Sequence, residues 1–266
     1  MKLGFIGAGE MGGSIIRGLL KTGWKAENIL ASVRTPEKAN LLADTLGIAA
    51  YTDNRRVITG ADRLFLAVKP AQMSQVLAEI AAANTACKPL ISMVLGWSVE
   101  KIESVLPNWP IIRIMPNTPL ALGEGVTLFH FAQAVPQQVR QEIMNLFDKM
   151  GKTYEIALDQ FDAATALSGS GPAFVYDFID GLSLAGQAQG LDEKTARELA
   201  IQTVIGAAKM AQTEGATPAQ LAQKVATPGG CTAAGMEVLI TSDLKDVLRE
   251  TLAATTRRAQ EVSKQS

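Results

Sequence analysis

The sequence predicts an α/β protein in which a doubly wound, mostly parallel β-sheet comes first and an all-helical domain follows. Short, continuously apolar runs alternate with helical patterns through the first half, which is typical of parallel strands covered by helices on both faces. Strand signals end near residue 159, and 20 of the 106 residues from Phe161 to Ser266 are alanine. We therefore expect a sheet domain at 1–157 and a helical domain at 158–266.

Seven apolar runs are the predicted strands of the sheet: 2–6, 28–33, 63–68, 89–94, 110–115, 125–131 and 152–157. The last two flank a helix that begins near Pro136, and we expect them at the far edge of the sheet. Prolines and glycines mark other helices between the strands. Pro36 opens a helix that ends at Gly47, and Pro70 opens another.

The composition is that of a globular chain and excludes several classes of protein. Of the 266 residues, 47% are hydrophobic and 19% are charged, unlike a disordered chain. The net charge of −1 provides no basic excess for a nucleic acid, and two cysteines with one histidine cannot complete a zinc site. No apolar run approaches the roughly 18 to 20 residues that span a bilayer. Glycines interrupt the N-terminal run where a signal peptide would continue, so we expect a cytoplasmic protein without membrane or nucleic-acid partners.

Three glycines, Gly7, Gly9 and Gly12, follow the first predicted strand with GxGxxG spacing and open a helix. In such a loop the first glycine allows a tight turn, the second lets the backbone approach a pyrophosphate, and the third lets helix and strand pack closely. The helix N-terminus, which includes Glu10 and Met11, presents free N–H groups to phosphates. The motif predicts a Rossmann dinucleotide site; the alternative is a glycine-rich turn without a ligand.

The end of the second predicted strand favours NADP(H) over NAD(H). NAD-binding sites usually place an acid here, about 20 residues after the glycines, for the ribose 2′-hydroxyl. This chain has no acid at 31–35; Ser32, Arg34 and Thr35 offer hydroxyls and a guanidinium for a 2′-phosphate instead. In the alternative interpretation Arg34 is a solvated surface residue and the protein uses either cofactor.

Further candidates for the cofactor site follow other strands, because ligands of open α/β sheets bind at the carboxyl ends of the strands. Val68, Lys69 and Pro70 end one strand, and Asn117 follows another. Lys69 would hold a ribose or simply shorten a turn with Pro70, and Asn117 is a candidate turn residue near the nicotinamide. Asn54 would reach the adenine ribose or else cap a helix.

Five segments carry a resemblance that extends beyond a dinucleotide-binding domain: GFIGAGEMG at 4–12, AVKP at 67–70, RIMPNTP at 113–119, ALSGSGPAFVYDFIDGL at 166–182 and LAQKVATPGGCTAAGMEVL at 221–239. With these segments in order over nearly the whole chain, the sequence resembles the delta-1-pyrroline-5-carboxylate reductases. The resemblance implies NADPH-dependent reduction of 1-pyrroline-5-carboxylate, a small cyclic imino acid, to L-proline as the last step of proline synthesis. It also implies a homodimer, or a larger assembly of dimers, in which the loop at 226–232 of one subunit (the PGG loop) completes the site of the other.

The PGG loop is the candidate substrate site. Gly229 and Gly230 precede a helix that we expect to be amphipathic, so free N–H groups would converge with the Thr227 and Thr232 hydroxyls on a carboxylate, beside Cys231. We expect the Thr232 hydroxyl to bond the imine nitrogen and to act by positioning, because an iminium can already be protonated near neutral pH. The alternative is a helix–helix turn in which the threonines only cap.

The chain departs from the family's pattern at two places. Cys231 stands where a small or hydroxyl residue is expected, and Leu95 and Trp97 are bulkier than the SxxAGV pattern at 92–97. The second departure bears on the shape of the substrate pocket, and hence on which cyclic imine fits.

The helix expected at 172–189 supports a dimer. Its apolar residues lie nearly all round, and a helix of this kind has to be buried on every side. A domain of this size has few other helices to surround it, so we expect the helix to pack against its counterpart.

Two other functions are compatible with the predicted domains. A β-hydroxyacid dehydrogenase also joins a Rossmann domain to helices, but it needs a catalytic lysine, and Lys194, Lys209 and Lys224 sit in polar surroundings. A non-enzymatic NADP(H)-dependent sensor would not need an intact PGG loop. His130, the only histidine, lies in an alternating strand pattern, and we expect it to be a packed or surface strand residue rather than a proton donor.

Overall fold

The computed structural model describes residues 1–213 and 215–265, so Ser266, the last residue of the predicted helical domain, lies outside the described part. The chain forms two compact units. The first comprises Met1–Ser170 together with the chain from Thr255 onward, and the second is Gly171–Ala254. This division follows packing within the chain and does not test the expected boundary at 157/158, which stays a prediction.

An eight-stranded sheet forms the centre of the first unit. Its strands are β1 (Leu3–Ile6), β2 (Ile29–Ser32), β3 (Ala49–Tyr51), β4 (Arg63–Leu66), β5 (Leu90–Ser92), β6 (Ile111–Pro116), β7 (Gly125–Phe131) and β8 (Gly151–Glu155). They lie in the order β3-β2-β1-β4-β5-β6-β7-β8, and every neighbouring pair is parallel except β6 and β7. The predicted fold class is confirmed, and β7 and β8 lie at one edge as expected. Between β1 and β4 the order reverses, and open α/β sheets bind ligands beside such a reversal.

Residues 1–170 contain seven α-helices, of which the first six connect strands and the last follows β8: α1 (Glu10–Lys21), α2 (Pro36–Leu46), α3 (Asn54–Gly60), α4 (Met73–Ala82), α5 (Val99–Glu103), α6 (Gln137–Asp148) and α7 (Phe161–Ser168). Helix α2 has the predicted signals: Pro36 is its first residue, and Gly47 ends it in the left-handed region at φ +68°. Pro70 opens only a short 3₁₀ turn, Pro70–Gln72, and the α-helix begins at Met73.

The core lies between the sheet and its helices. All four residues of β1 and of β2 are buried, which explains why these strands read as continuous apolar runs. Phe5 stacks on Phe65 with ring centroids 4.6 Å apart, and Phe147 meets Phe129 edge-on at 5.5 Å. Each such pair adds about 0.5–1.5 kcal/mol beyond the burial of its area. The carboxyl ends of the strands therefore project from a closely packed core.

Helices form the described part of the second unit, which confirms the all-helical prediction. They are α8 (Gly171–Ala188), α9 (Glu193–Thr213), α10 (Pro218–Val225), α11 (Cys231–Thr241) and α12 (Leu244–Gln265), the last of which continues into the first unit. Small residues bring α8 and α9 together, since a Cβ at Gly186 would lie 3.3 Å from that of Ala196. No helix among the described residues is long and apolar enough to cross a bilayer.

Candidate active site

The loop between β1 and α1 has a different constraint at each of its three glycines. Gly7 has φ +90°, and a Cβ there would lie 2.6 Å from the carbonyl oxygen of Ala67. A Cβ at Gly12 would lie 2.6 Å from the carbonyl oxygen of Gly7, so the helix can approach the strand only without a side chain. Around Gly9, by contrast, a Cβ would meet no atom within 4 Å. The loop is closely packed at its ends and open at its middle, where a ligand can approach the backbone.

The N-terminus of α1 can hold an anion at this opening. Gly9 is the N-cap, no side chain caps the helix, and the first hydrogen bond in the helix runs from the Gly13 N–H to the Gly9 carbonyl at 2.8 Å. The N–H groups of Glu10, Met11 and Gly12 therefore have no partner within the helix. Together with the partial positive charge of the helix end, they fit the pyrophosphate of a dinucleotide.

The carboxyl end of β2 carries the candidates for the 2′-phosphate. Ser32 is 1% exposed, with its hydroxyl 3.5 Å from the Phe5 carbonyl oxygen, whereas Arg34 is exposed. Thr35 caps α2 by accepting a hydrogen bond from the Lys38 N–H at 3.4 Å. Next in α2, hydrogen bonds from the backbone and from Thr35 lower the pKa of the Glu37 carboxyl. The N-terminus of α2 therefore stabilises the carboxylate of Glu37 itself.

A second cation, which the sequence analysis missed, lies near the same strand end. The Arg56 guanidinium stacks over the Tyr51 ring, 4.4 Å from its centroid. Tyr51 is the partner of Ser32 in the register of β2 and β3, and its carbonyl accepts the Val33 N–H at 2.9 Å. Only the pairing of these two strands connects Arg56 with Ser32, so no local motif could have found it.

The loop after β4 is tied to its surroundings through the backbone. Lys69 is exposed, and its N–H donates to the Gln72 side-chain oxygen at 3.2 Å, while Val68 is half-buried. The Pro70 carbonyl accepts a hydrogen bond from the Trp97 indole N–H at 3.2 Å. Trp97, one of the bulky departures from the family pattern, is thus a buried support of this loop.

The alternative role suggested for Asn54, capping a helix, is wrong. Asp53 is the N-cap of α3, because its carboxylate accepts the Arg55 N–H at 2.9 Å, and Asn54 is the first helical residue. The Asn54 amide donates instead to Glu79 at 2.6 Å. Sequence reasoning overlooked Glu79, which lies 25 positions away.

Asn117 follows β6 and is bonded within the first unit. Its side-chain oxygen accepts the Val126 N–H at 2.8 Å, and its amide group donates to the Ser168 carbonyl at 3.0 Å. It is 7% exposed. These bonds agree with a turn residue that joins β6, β7 and the end of α7, so any effect of Asn117 on a ligand would be indirect.

The PGG loop in the second unit forms a tight turn before α11. The Gly230 N–H donates to the Thr227 carbonyl at 3.0 Å, and Gly229 has φ +74°. A Cβ at Gly230 would lie 2.8 Å from the Thr227 hydroxyl oxygen, so only glycine lets that hydroxyl approach the backbone. Gly230 is the N-cap of α11 without a side-chain cap, which leaves the N–H groups of Cys231 and Thr232 without helical partners.

Helix α11 itself differs from the expectation of an amphipathic helix. It has no buried residue in the structure, and three consecutive large apolar residues, Val238, Leu239 and Ile240, are exposed. Consecutive residues point about 100° apart, so these three do not share one face. The apolar surface of α11 extends around the helix and requires a cover that packing within the unit does not provide.

His130 packs as a strand residue, in agreement with the sequence analysis. Its Nδ1 lies 3.2 Å from the Ile156 carbonyl oxygen, and its ring meets Phe161 edge-on. The neighbouring Arg113, opposite His130 in the β6–β7 register, is buried and forms an ion pair at 3.6 Å with the half-buried Asp162. Burial lowers the pKa of Arg113 despite this partner. No three His, Cys, Asp or Glu side chains of the described residues are grouped as a metal site requires.

Comparison with known proteins identifies the family. One family model, described as NADP oxidoreductase coenzyme F420-dependent, matches residues 2–96, and another, described as pyrroline-5-carboxylate reductase dimerisation, matches 159–262. A pyrroline-5-carboxylate reductase of Corynebacterium melassecola is 33% identical over 263 residues, covering 97% of each chain. The chain belongs to the pyrroline-5-carboxylate reductase family.

Solved structures of pyrroline-5-carboxylate reductases match the whole fold. The structure from Coxiella burnetii matches with a TM-score of 0.92 and 32% identity over 98% of both chains. A Plasmodium falciparum pyrroline carboxylate reductase with NADP bound matches with a TM-score of 0.89 and 29% identity, over 99% of this chain and 98% of the other. The resemblance seen in the sequence is confirmed.

Membership in the pyrroline-5-carboxylate reductase family identifies an NAD(P)H-dependent oxidoreductase whose helical part is a dimerisation domain. The lysines considered for a β-hydroxyacid dehydrogenase, Lys194, Lys209 and Lys224, are all exposed on α9 and α10. The relatives that are 33–35% identical over 97–98% of this chain are pyrroline-5-carboxylate reductases, so the family match favours neither that dehydrogenase nor a non-enzymatic sensor.

Proposed function

We propose that this protein reduces 1-pyrroline-5-carboxylate to L-proline with NADPH, the last step of proline biosynthesis. The observation that carries this proposal is the similarity to pyrroline-5-carboxylate reductases over 97% of the chain. The geometry of the glycine loop and the PGG loop supports it, because the first suits a dinucleotide and the second a small anion.

The cofactor binds along the carboxyl ends of β1, β2 and β4. Gly7 and Gly12 shape the loop, Gly9 leaves the opening, and the N–H groups of Glu10 and Met11 hold the pyrophosphate. Asn54, Val68, Lys69 and Pro70 line the remainder, with Asn117 as a support. When bound, NADPH supplies the hydride.

The protein prefers NADPH over NADH because it recognises the 2′-phosphate. Arg34 is exposed beside Ser32, and a guanidinium pairs well with phosphate oxygens. NAD(H) remains a weaker second cofactor, since no acid at 31–35 binds its 2′-hydroxyl.

The PGG loop holds the substrate. The substrate carboxylate accepts hydrogen bonds from the N–H groups of Cys231 and Thr232 and from the Thr227 hydroxyl. Gly229 and Gly230 permit the turn. The Thr232 hydroxyl bonds the imine nitrogen and orients the ring. A strong general acid is dispensable, because the iminium can already be protonated near neutral pH.

The active form is a homodimer or a larger assembly of dimers in the cytoplasm. The apolar residues Val175, Tyr176 and Phe178 of α8 are 45%, 61% and 49% exposed in the single chain, as expected for an interface. Both cysteines, Cys87 and Cys231, are free, which suits a reducing compartment.

The decisive experiment measures NADPH oxidation by the purified protein with a panel of five- and six-membered cyclic imino acids. We expect turnover on 1-pyrroline-5-carboxylate and formation of proline. Tight NADPH binding without turnover on any member of the panel would overturn the proposal.

A further inference from the structure

The contact between Asn54 and Glu79 joins the start of α3 to the middle of α4. Asn54 follows the carboxyl end of β3. It therefore lies on the side of the sheet formed by the carboxyl ends of the strands, where the cofactor is proposed to bind. Its side-chain amide donates to the Glu79 carboxylate at 2.6 Å, and both residues are half-buried. A short bond to a carboxylate in a partly buried place is stronger than a bond between neutral groups.

Glu79 leaves the Asn54 amide only one orientation. One carboxylate oxygen receives Asn54 and the other receives the Gln75 amide at 2.8 Å. An ionised carboxylate can only accept hydrogen bonds, so Asn54 must turn its NH₂ group towards Glu79. The Asn54 side-chain oxygen then points away from this bond, and no donor of the described residues is bonded to it.

We infer that Glu79 is a positioning residue for cofactor binding, which rests on the proposed function because it takes Asn54 as a contact of the adenosine ribose. By holding the Asn54 amide, Glu79 presents its oxygen as an acceptor for a ribose hydroxyl. A reversed amide would present NH₂ instead, and an oxygen facing the Glu79 carboxylate would be repelled. The charge on Glu79 thus determines which chemical group the cofactor meets at Asn54.

The test measures NADPH dissociation constants by fluorescence titration. In Asn54→Asp two carboxylates face each other, and we expect binding about tenfold weaker. Glu79→Gln accepts or donates equally well, so the Asn54 amide loses its fixed orientation and binding weakens about threefold. In the double variant Asn54→Asp/Glu79→Gln, the new amide donates to the new carboxylate and leaves an oxygen for the ribose. Its affinity should return to within about threefold of the wild type.

Gln75→Ala is the matched control, because Gln75 donates to the other oxygen of the same carboxylate, not to the oxygen that receives Asn54. It should change NADPH affinity by less than about twofold. Thermal unfolding without cofactor checks that each variant folds. A merely structural contact would lower stability and leave the dissociation constants unchanged.

Two results would overturn the inference: Glu79→Gln binding NADPH like the wild type, or the double variant binding as weakly as Asn54→Asp alone. If Asn54→Asp fails to fold, Glu79→Gln still decides. In turnover assays of Asn54→Asp and Glu79→Gln, the KM for NADPH should rise while kcat stays the same. A wild type that binds NADPH without turnover would contradict the proposed reaction and leave the role of Glu79 intact.

Discussion

The two units of the chain differ in how completely they bury their own apolar residues. In the first unit, large side chains such as Phe5, Phe65 and Phe129 are fully buried between the sheet and helices. In the second, α8 exposes Tyr176 and Phe178, and α11 exposes a run of apolar residues. Burial of apolar surface is the main force that stabilises a fold. The first unit therefore has a complete apolar core of its own, whereas the second requires a partner to cover its exposed apolar residues.

This difference in burial indicates a separate role for each unit. Close packing around Gly7 and Gly12 gives the glycine loop its shape within a single chain. The helical unit presents its PGG loop from a scaffold that a second copy would stabilise. Folding, association and activity should therefore be coupled in the second unit and separable in the first.

The largest effect should come from breaking the proposed interface. Phe178→Glu places a carboxylate on the exposed apolar surface of α8, where burial of an unpaired charge costs several kcal/mol. We expect association to weaken about a hundredfold or more, with loss of activity at low protein concentration. Sedimentation velocity and activity against dilution measure this. Leu41→Glu, at an exposed position of α2, is the control and should remain associated; a fully active Phe178→Glu monomer would contradict the comparison.

Within the first unit, two glycines of one loop should separate stability from binding. Gly12→Ala puts a Cβ 2.6 Å from a backbone oxygen, so we expect a loss of about 1–3 kcal/mol in the free energy of unfolding. Gly9→Ala meets no atom within 4 Å and should unfold like the wild type, but its methyl group occupies the opening and should weaken NADPH binding about tenfold or more. Thermal unfolding and NADPH titration measure the two effects. Equal changes in both variants would show that the loop is not divided in this way.

Replacing Arg34 should weaken the binding of NADPH but not that of NADH. Arg34→Ala removes the proposed charge-assisted bond to the 2′-phosphate, which would contribute about 1.5–3 kcal/mol, so NADPH affinity should fall about 10- to 100-fold while NADH affinity changes little. Lys38→Ala, at another exposed position nearby, should leave the preference unchanged. Titration with both cofactors decides, and equal losses or a wild-type preference for NADH would refute the role.

Local patterns in the sequence predicted the features that depend on neighbours in the chain. The glycine loop, the ends of α2 and the alternation of strands and helices all follow from conformational preferences within a few residues. Contacts between distant segments escaped prediction, such as Asn54 with Glu79 or Arg113 with Asp162. The expectation that α11 is amphipathic was wrong. Apolar residues all around a helix indicate that it is buried, but they do not show which partner covers it.

The smallest effect should come from Trp97→Phe, which tests whether the first unit confines a local change. Trp97→Phe keeps an aromatic ring in the buried site and removes only the indole N–H that donates to the Pro70 carbonyl at 3.2 Å. A net hydrogen bond contributes about 1 kcal/mol, and the loop it supports carries Val68 and Lys69. We therefore expect the KM for NADPH to rise about two- to fivefold, with kcat and the oligomeric state unchanged. Trp97→Ala also opens a cavity, so it should lower the free energy of unfolding by about 3–5 kcal/mol. If Trp97→Phe changes kcat or association instead of KM, the loop is coupled to the second unit and the two units are less independent than their burial indicates.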